Sequence, residues 1–346
     1  MAFEITGTGR AVPYRRVSND ELSEKVDTSD EWIRSHTGIG FRHMVGEDCA
    51  SSDLALEAAK KALAKAAGIE GLQQDEAEKA LTEAALSLDM IVLATASPDY
   101  FGSPATACIV QDKLGAKNAS AMDVTAGCSG FIYALETAAG LLSVGNRQRI
   151  MVIGSEVLTK FINWSDRSYC VLLGDGAGAV LLEKTPAPME GKDKRGVLRT
   201  ILKADGSGAE YILFRGGGGR APFREGEASR PIWIEMNGQA VYNFAVKAMT
   251  DLISEIMMQE GITMNDVNWI IPHQANARIV QAAVKRLKIP EGVCFLNIEE
   301  YANTSAASIP IAMDELNRAG KLQTGDLIIT VGFGSGLTYG ANLIVW

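Results

Sequence analysis

The chain has 346 residues, of which 47% are hydrophobic and 22% charged, and carries a net charge of −9. That balance fits a soluble globular enzyme of about two domains and argues against a general nucleic-acid binder. No apolar run approaches the roughly 20 residues needed to cross a bilayer, the N-terminus lacks a secretion signal, and five scattered cysteines with three histidines make a zinc site unexpected, so a reduced, cytoplasmic protein is expected.

In chain order, a short strand leads to Ser18-Asn-Asp-Glu21, a capping box that opens a helix. Ser29 caps a second short helix, which Thr37-Gly-Ile-Gly40 ends. Trp32, Arg34 and His36 cluster there, a ring beside basic groups that suits a nucleotide or simply anchors the helix in the core. An amphipathic helix is predicted over 51–67, an exposed acidic helix over 73–85, and a buried strand over 90–96. A helix over 105–114 follows.

The stretch Ala121 to Leu135 reads as a strand, a tight turn at Gly127-Cys128-Ser129-Gly130, and a helix running to Ser143. The turn holds Cys128 at a helix N-terminus, where the positive end of the dipole favours thiolate over thiol. A strand-to-helix turn bearing a nucleophile is a device of hydrolases. The alternative is a small buried cysteine packed against the sheet. Arg149–Gly154 is a further strand, and Gly174-Asp-Gly-Ala-Gly178 opens into another at 179–183.

The second half repeats the plan. Strands are predicted at 268–272, 293–298, 326–331 and 341–345, with helices at 276–288 and within 304–319. Gly332-Phe-Gly-Ser-Gly336 echoes the earlier glycine motif. Alternating strands and helices in two similar halves imply two α/β units, 1–185 and 186–346, each a mixed sheet covered by helices. Residues 186–235, with Arg215-Gly-Gly-Gly-Gly-Arg220, lack any phosphate-binding glycine spacing and read as a flexible connection.

Ile270-Ile-Pro-His-Gln-Ala-Asn276 puts His273 just past a buried strand, where α/β sheets present functional groups. Asn303 sits in a similar loop before a helix, as a cap or as a hydrogen-bond donor. With Cys128 they supply a thiol and two groups able to bond a carbonyl oxygen. The Cys-to-His spacing also fits a papain-like protease, at roughly 130–150 residues. The local protease signature is absent, and the repeated α/β plan argues against that reading.

The motifs Asp27-Thr-Ser-Asp-Glu-Trp32, Thr37-Gly-Ile39, Gly127-Cys128, Gly174-Asp-Gly-Ala-Gly178, Pro272-His-Gln-Ala-Asn276, Asn303-Thr-Ser-Ala-Ala-Ser308 and Gly332-Phe-Gly-Ser-Gly336 run in order over nearly the whole chain. Together they resemble the β-ketoacyl-acyl carrier protein synthase III family of the thiolase superfamily. The resemblance implies a thiolase fold, a duplicated α/β unit in five layers, α-β-α-β-α, in a homodimer. It implies decarboxylative condensation of an acyl-coenzyme A with malonyl-acyl carrier protein, with no metal or organic cofactor and no nucleic-acid or membrane partner. Cys128 would take the acyl group, His273 and Asn303 would stabilise the enolate, and the backbone N–H groups of Cys128 and Ser335 would form an oxyanion hole.

By the same resemblance, Trp32 and Arg167 would sandwich the adenine, Asn276 would lie by the pantetheine tunnel, and Arg278 would meet the carrier protein. His36 stands where relatives often carry arginine, Ser335 replaces a frequent glycine, and 70–85 resembles an insertion. Ser103 stands where short-chain enzymes carry a bulky phenylalanine closing the acyl pocket, with Phe101 nearby as a substitute. The alternatives are an acyltransferase of secondary metabolism with another acceptor, a cysteine peptidase, or a non-catalytic scaffold that binds acyl-coenzyme A.

Overall fold

A computed structural model describes residues 3–69, 71–185, 195–223 and 232–346. Nine strands form the main sheet: β1 Phe3–Ala11, β2 Met90–Ala94, β3 Ser120–Val124, β4 Arg149–Val157, β5 Asp175–Lys184, β6 Gly196–Ala204, β7 Trp269–Pro272, β8 Leu327–Gly334 and β9 Thr338–Val345. Eight helices of eight or more residues accompany them: α1 Asp30–Thr37, α2 Ser51–Ala66, α3 Gln74–Leu86, α4 Thr106–Leu114, α5 Gly130–Ser143, α6 Gly238–Glu260, α7 Ala277–Leu287 and α8 Ser308–Arg318.

The sheet order is β7-β8-β9-β6-β1-β5-β4-β2-β3. Outward from the seam between β1 and β6, each half runs two antiparallel pairings and then parallel ones. The seam is one residue pair, Phe3 beside Gly196. The unit is therefore duplicated: β1, α2, β2, α4, β3, α5, β4, β5 corresponds to β6, α6, β7, α7, a single bridge at Cys294, α8, β8, β9.

Alternation along the strands sorts the residues into five layers, because successive side chains of a strand face opposite ways. Met90, Val92 and Ala94 of β2, with Ile271 of β7 and Ile328 of β8, pack on α5 and α8. Those two helices form the central layer. Ile91 and Leu93 face α2 and α4, while Ile270 and Ile329 face α6 and α7. The arrangement is the five-layered α-β-α-β-α thiolase fold.

Several elements differ from expectation. The opening strand is nine residues long and sits mid-sheet rather than being a short lead-in. Residues 293–298 supply only the bridge from Cys294 to Ile270, because the chain turns into a short helix at Ile298–Tyr301. The connection read over 186–235 contains β6 and a hairpin pairing Ile212–Phe214 with Ile234–Met236; its residues 186–194 and 224–231 lie outside the described ones. Both glycine motifs lie largely within strands. Helix α3 has no counterpart in the second half, where only the turn Met264–Asp266 separates α6 from β7. It supplies Ala84 and Ala85 to the outer core, so the segment read as an insertion is a packed helix; residue 70 lies outside the described ones.

Two glycines bring the halves together at the site. A β-carbon on Gly154 of β4 would stand 2.3 Å from the Ala306 carbonyl oxygen, and one on Gly334 of β8 would stand 2.4 Å from the Cys128 nitrogen. Each half thus uses a bare backbone position to admit the turn ahead of the other half's central helix.

Candidate active site

Cys128, His273 and Asn303 open onto one cavity of about 220 Å³, with Trp32, Asn276 and Arg278 also in its wall. A larger groove of about 590 Å³ runs past Arg15, Lys25, Lys160 and Trp164. It is lined by no cysteine, histidine or asparagine, so the smaller cavity is the candidate site. Among the described residues no His/Cys/Asp/Glu group is arranged to hold a metal ion, and no helix is long and apolar enough to cross a membrane.

Cys128 lies in the 3-10 turn Gly127–Ser129 that leads into α5. Ser129 Oγ lies 2.9 Å from Thr338 Oγ1, which in turn lies 2.7 Å from the Ala126 carbonyl oxygen and 2.9 Å from that of Ser335. This network ties the nucleophile's turn to the hairpin carrying Ser335. The expected preference for thiolate is reversed in the resting site. Burial pushes the thiol up to about 11, the Ser305 hydroxyl pulls it back, and the Glu156 carboxylate pushes it further up. Removing the sulfur from water costs the charged form more than the hydrogen bonds to it return. Cys128 therefore keeps its proton at physiological pH.

His273 follows β7 and is 1% exposed. Burial lowers its pKa to about 3, which keeps the imidazole neutral at physiological pH. Its Nδ1 lies 2.7 Å from Ser308 Oγ, and its ring meets Phe333 edge-on at 5.5 Å. Asn303 is held by its own backbone, with N–H donating to Leu172 O and C=O accepting from Gly174 N–H. Its Oδ1 accepts from Ser305 N–H at 2.9 Å, which leaves the amide N–H₂ as the free end. Ser305 is held at φ +47° and Ala302 at φ +57°, uncommon for residues with a β-carbon.

The peripheral residues are less gathered. Trp32 lines the cavity and stacks on His36 at 4.4 Å. Arg167 stands outside the cavity wall, where Nη1 donates to Asp27 O and Oδ2 at 2.9 and 3.1 Å. Asn276 caps α7 by accepting from Arg278 N–H and donates to the His36 carbonyl. Arg278 is exposed, as are Lys285, Arg286 and Lys288 farther along and just past α7. Ser103 and Phe101 lie on an exposed segment outside the cavity, where Phe101 meets Phe161 at 5.9 Å.

Sequence reasoning missed Glu156, a fully buried carboxyl at the inner end of β4. It accepts from Ser97 Oγ at 2.7 Å and from Ala96 N–H at 3.1 Å, and burial raises its pKa to about 7. It also missed Ser308 and Phe333, although both lie inside quoted motifs. Only the fold reveals that they face His273.

Comparison with known proteins places this geometry. The family described as 3-oxoacyl-[acyl-carrier-protein] synthase III matches residues 122–206, and its C-terminal family matches residues 257–346. The β-ketoacyl-[acyl-carrier-protein] synthase III of Clostridium perfringens strain SM101 is 46% identical over 99% of this chain and 98% of its own. The chain belongs to the β-ketoacyl-[acyl-carrier-protein] synthase III family. It is accordingly a condensing acyltransferase. The crystal structure of the synthase III from Aquifex aeolicus VF5 is 39% identical, covers 100% of both chains and superposes with a TM-score of 0.86. A priming β-ketosynthase of the R1128 polyketide pathway superposes with the same TM-score but is 29% identical, covering 99% of this chain and 96% of its own.

Proposed function

We propose that this synthase condenses an acyl-coenzyme A primer with malonyl-acyl carrier protein to give a 3-oxoacyl-acyl carrier protein, the step that initiates fatty acid synthesis. The observation that carries the reading is the single cavity onto which the Cys128 thiol, neutral His273 and the Asn303 amide open. Cys128 attacks the thioester, the acyl group passes to Sγ, and coenzyme A leaves with the proton the thiol gives up. Backbone N–H groups of Cys128 and Ser335 hold the oxyanion of that step. Malonyl-acyl carrier protein then loses carbon dioxide to an enolate, which attacks the acyl-cysteine; the new C–C bond forms as the C–Sγ bond breaks, and the released Cys128 thiolate takes up a proton from water. His273 and Asn303 donate to the enolate oxygen. Decarboxylation itself supplies the carbanion, so the scheme calls for no cofactor.

In this reading Trp32 and Arg167 hold the adenine, with His36 backing the indole, and Asn276 lines the path of the pantetheine. The carrier protein docks on Arg278. For a chain of net charge −9, the exposed cations of α7 and its C-terminal end supply the local basic patch that an acidic partner needs. Arg278→Ala is expected to raise KM for malonyl-acyl carrier protein roughly fivefold at low salt, and less at high salt. Steady-state kinetics at two ionic strengths checks this.

The halves 1–185 and 186–346 act as one unit, since Cys128 comes from the first and His273 and Asn303 from the second. The outer edge of β3, with half-buried Ala121, Met122 and Val124, is proposed as the homodimer seam. Across it Phe101 and Ser103 would reach the partner's acyl pocket. A reduced, cytoplasmic setting agrees with the five cysteines remaining free. The full-length similarity to β-ketoacyl-[acyl-carrier-protein] synthases III favours this reading over an acceptor of secondary metabolism, a peptidase or a scaffold.

The test is intact-protein mass after incubation with acyl-coenzyme A primers from acetyl to long chain, followed by product analysis with malonyl-acyl carrier protein. One acyl adduct per chain and a 3-oxoacyl product are expected, with Ser103 leaving room for primers longer or more branched than acetyl. No adduct from any primer overturns the mechanism. An adduct without condensation would move the function to another acceptor.

A further inference from the structure

Neutral His273 carries one ring proton, and which nitrogen holds it decides whether the ring donates to the enolate or repels it. The nearest partner is Ser308, the first residue of α8 and 2% exposed, whose Oγ lies 2.7 Å from Nδ1. Gln274 N–H also reaches the same Oγ at 3.3 Å. That N–H can only donate, so Ser308 Oγ is already an acceptor. Its own hydroxyl proton then has Nδ1 as the lone pair within reach. We propose that Ser308 is the positioning residue of the condensation step: its hydroxyl donates to Nδ1 of His273 and so fixes the ring proton on Nε2, where it can be donated to the thioester oxygen. The opposite tautomer would set an Nε2 lone pair against a developing negative charge.

The arrangement is rigid on both sides. His273 N–H donates to Val331 O at 2.8 Å, and Ser308 N–H donates to Ser305 O. The strand and the helix are therefore each anchored independently of the contact between them. The charged or titratable groups that line the cavity with His273 are the Cys128 thiol, with Glu156 beside it, and Tyr242, His36 and Arg278; none is hydrogen-bonded to the ring.

The inference rests on the condensing role proposed for His273, and the tautomer can be read without turnover. In nitrogen-15 spectra of the whole protein, which has three histidines, one imidazole should show a protonated Nε2 and a bare Nδ1 and should vanish in His273→Gln. Ser308→Ala should slow condensation on the order of 10- to 100-fold, the size seen when a metal-bound histidine loses the group that orients it. Acylation of Cys128 by acyl-coenzyme A should stay at the wild-type rate, and Ser308→Thr, which keeps the hydroxyl, should restore condensation. A proton on Nδ1 in the wild-type protein overturns the inference, as does Ser308→Ala condensing at the wild-type rate. So does acylation falling in step with condensation. A wild-type protein that forms no 3-oxoacyl product overturns the underlying reading, and the inference with it.

Discussion

Cys128→Ala is expected to abolish acyl-enzyme formation and to lower overall turnover on the order of 10⁴-fold or more, the scale of losing a covalent nucleophile. The variant tests the site cleanly because little else depends on the sulfur. The turn around it is held by the hydroxyls of Ser129 and Thr338, neither of which bonds Sγ. Unfolding stability should change by about 1 kcal/mol or less. Intact mass is the direct readout: wild type gains one acyl group and the variant gains none. The four remaining cysteines bear on the control. Cys108 is exposed and Cys170 fully buried, while Cys49 and Cys294 are half-buried. An adduct persisting in Cys128→Ala would put the acyl group on one of these, and the exposed Cys108 would be the first to map. The variant should still decarboxylate malonyl-acyl carrier protein, because the donors proposed to stabilise the enolate, His273 and Asn303, lie on the other half.

The protonation of Cys128 shows where sequence reasoning stops. A turn before a helix is visible as small residues followed by Phe131, Ala134, Leu135 and Ala138, and it folds as read. The proton on the sulfur is not visible, because it depends on what buries the thiol. Ser305 and Glu156, 177 and 28 residues away in the chain, are the groups that act on it. The same division holds elsewhere. The cap at Ser29 is local and folds as read, whereas of the box at Ser18 only the serine half forms, because the Glu21 carboxylate accepts from Arg15 instead; the repeated order of elements carried two α/β units, and the resemblance the five layers. Helix α6 was legible in the spacing of Val241, Ala245, Met249, Leu252 and Ile256 but was passed over between two more conspicuous stretches. Strand β6 was hidden because exposed Arg199 and Leu202 blur its alternation within a glycine- and charge-rich region. The run at 293–298 has the apolar character of a strand, yet as the last position of its half it keeps only the bridge to Ile270. His273 and Asn303 were candidates from their places after a strand and before a helix. Asn303 is oriented by the nearby Ser305 N–H, a local contact, whereas Ser308 reaches His273 only through the fold.

His273→Ala and Asn303→Ala should each cut condensation on the order of 10²- to 10³-fold while leaving acylation of Cys128 near wild type. The asymmetry follows from where charge develops. During acyl transfer the oxyanion forms beside the backbone N–H groups proposed at Cys128 and Ser335, which neither substitution removes. During decarboxylation the charge collects on the malonyl thioester oxygen, and in the proposed scheme the donors offered there are Nε2–H of His273 and the amide of Asn303. The two serve one oxygen, so the double variant should lose less than the product of the single losses. Stability must be tracked alongside. His273→Ala empties a buried site against Phe333, and Asn303→Ala frees the N–H of Ser305, itself at positive φ. Losses of roughly 1–3 kcal/mol are expected for either, small enough to keep the chain folded at 25 °C. Single-turnover acylation by intact mass, set beside carbon dioxide release from malonyl-acyl carrier protein, separates the steps. Equal loss in both would mean that the pair serves acyl transfer as well, and the division of labour between the two halves of the fold would fall.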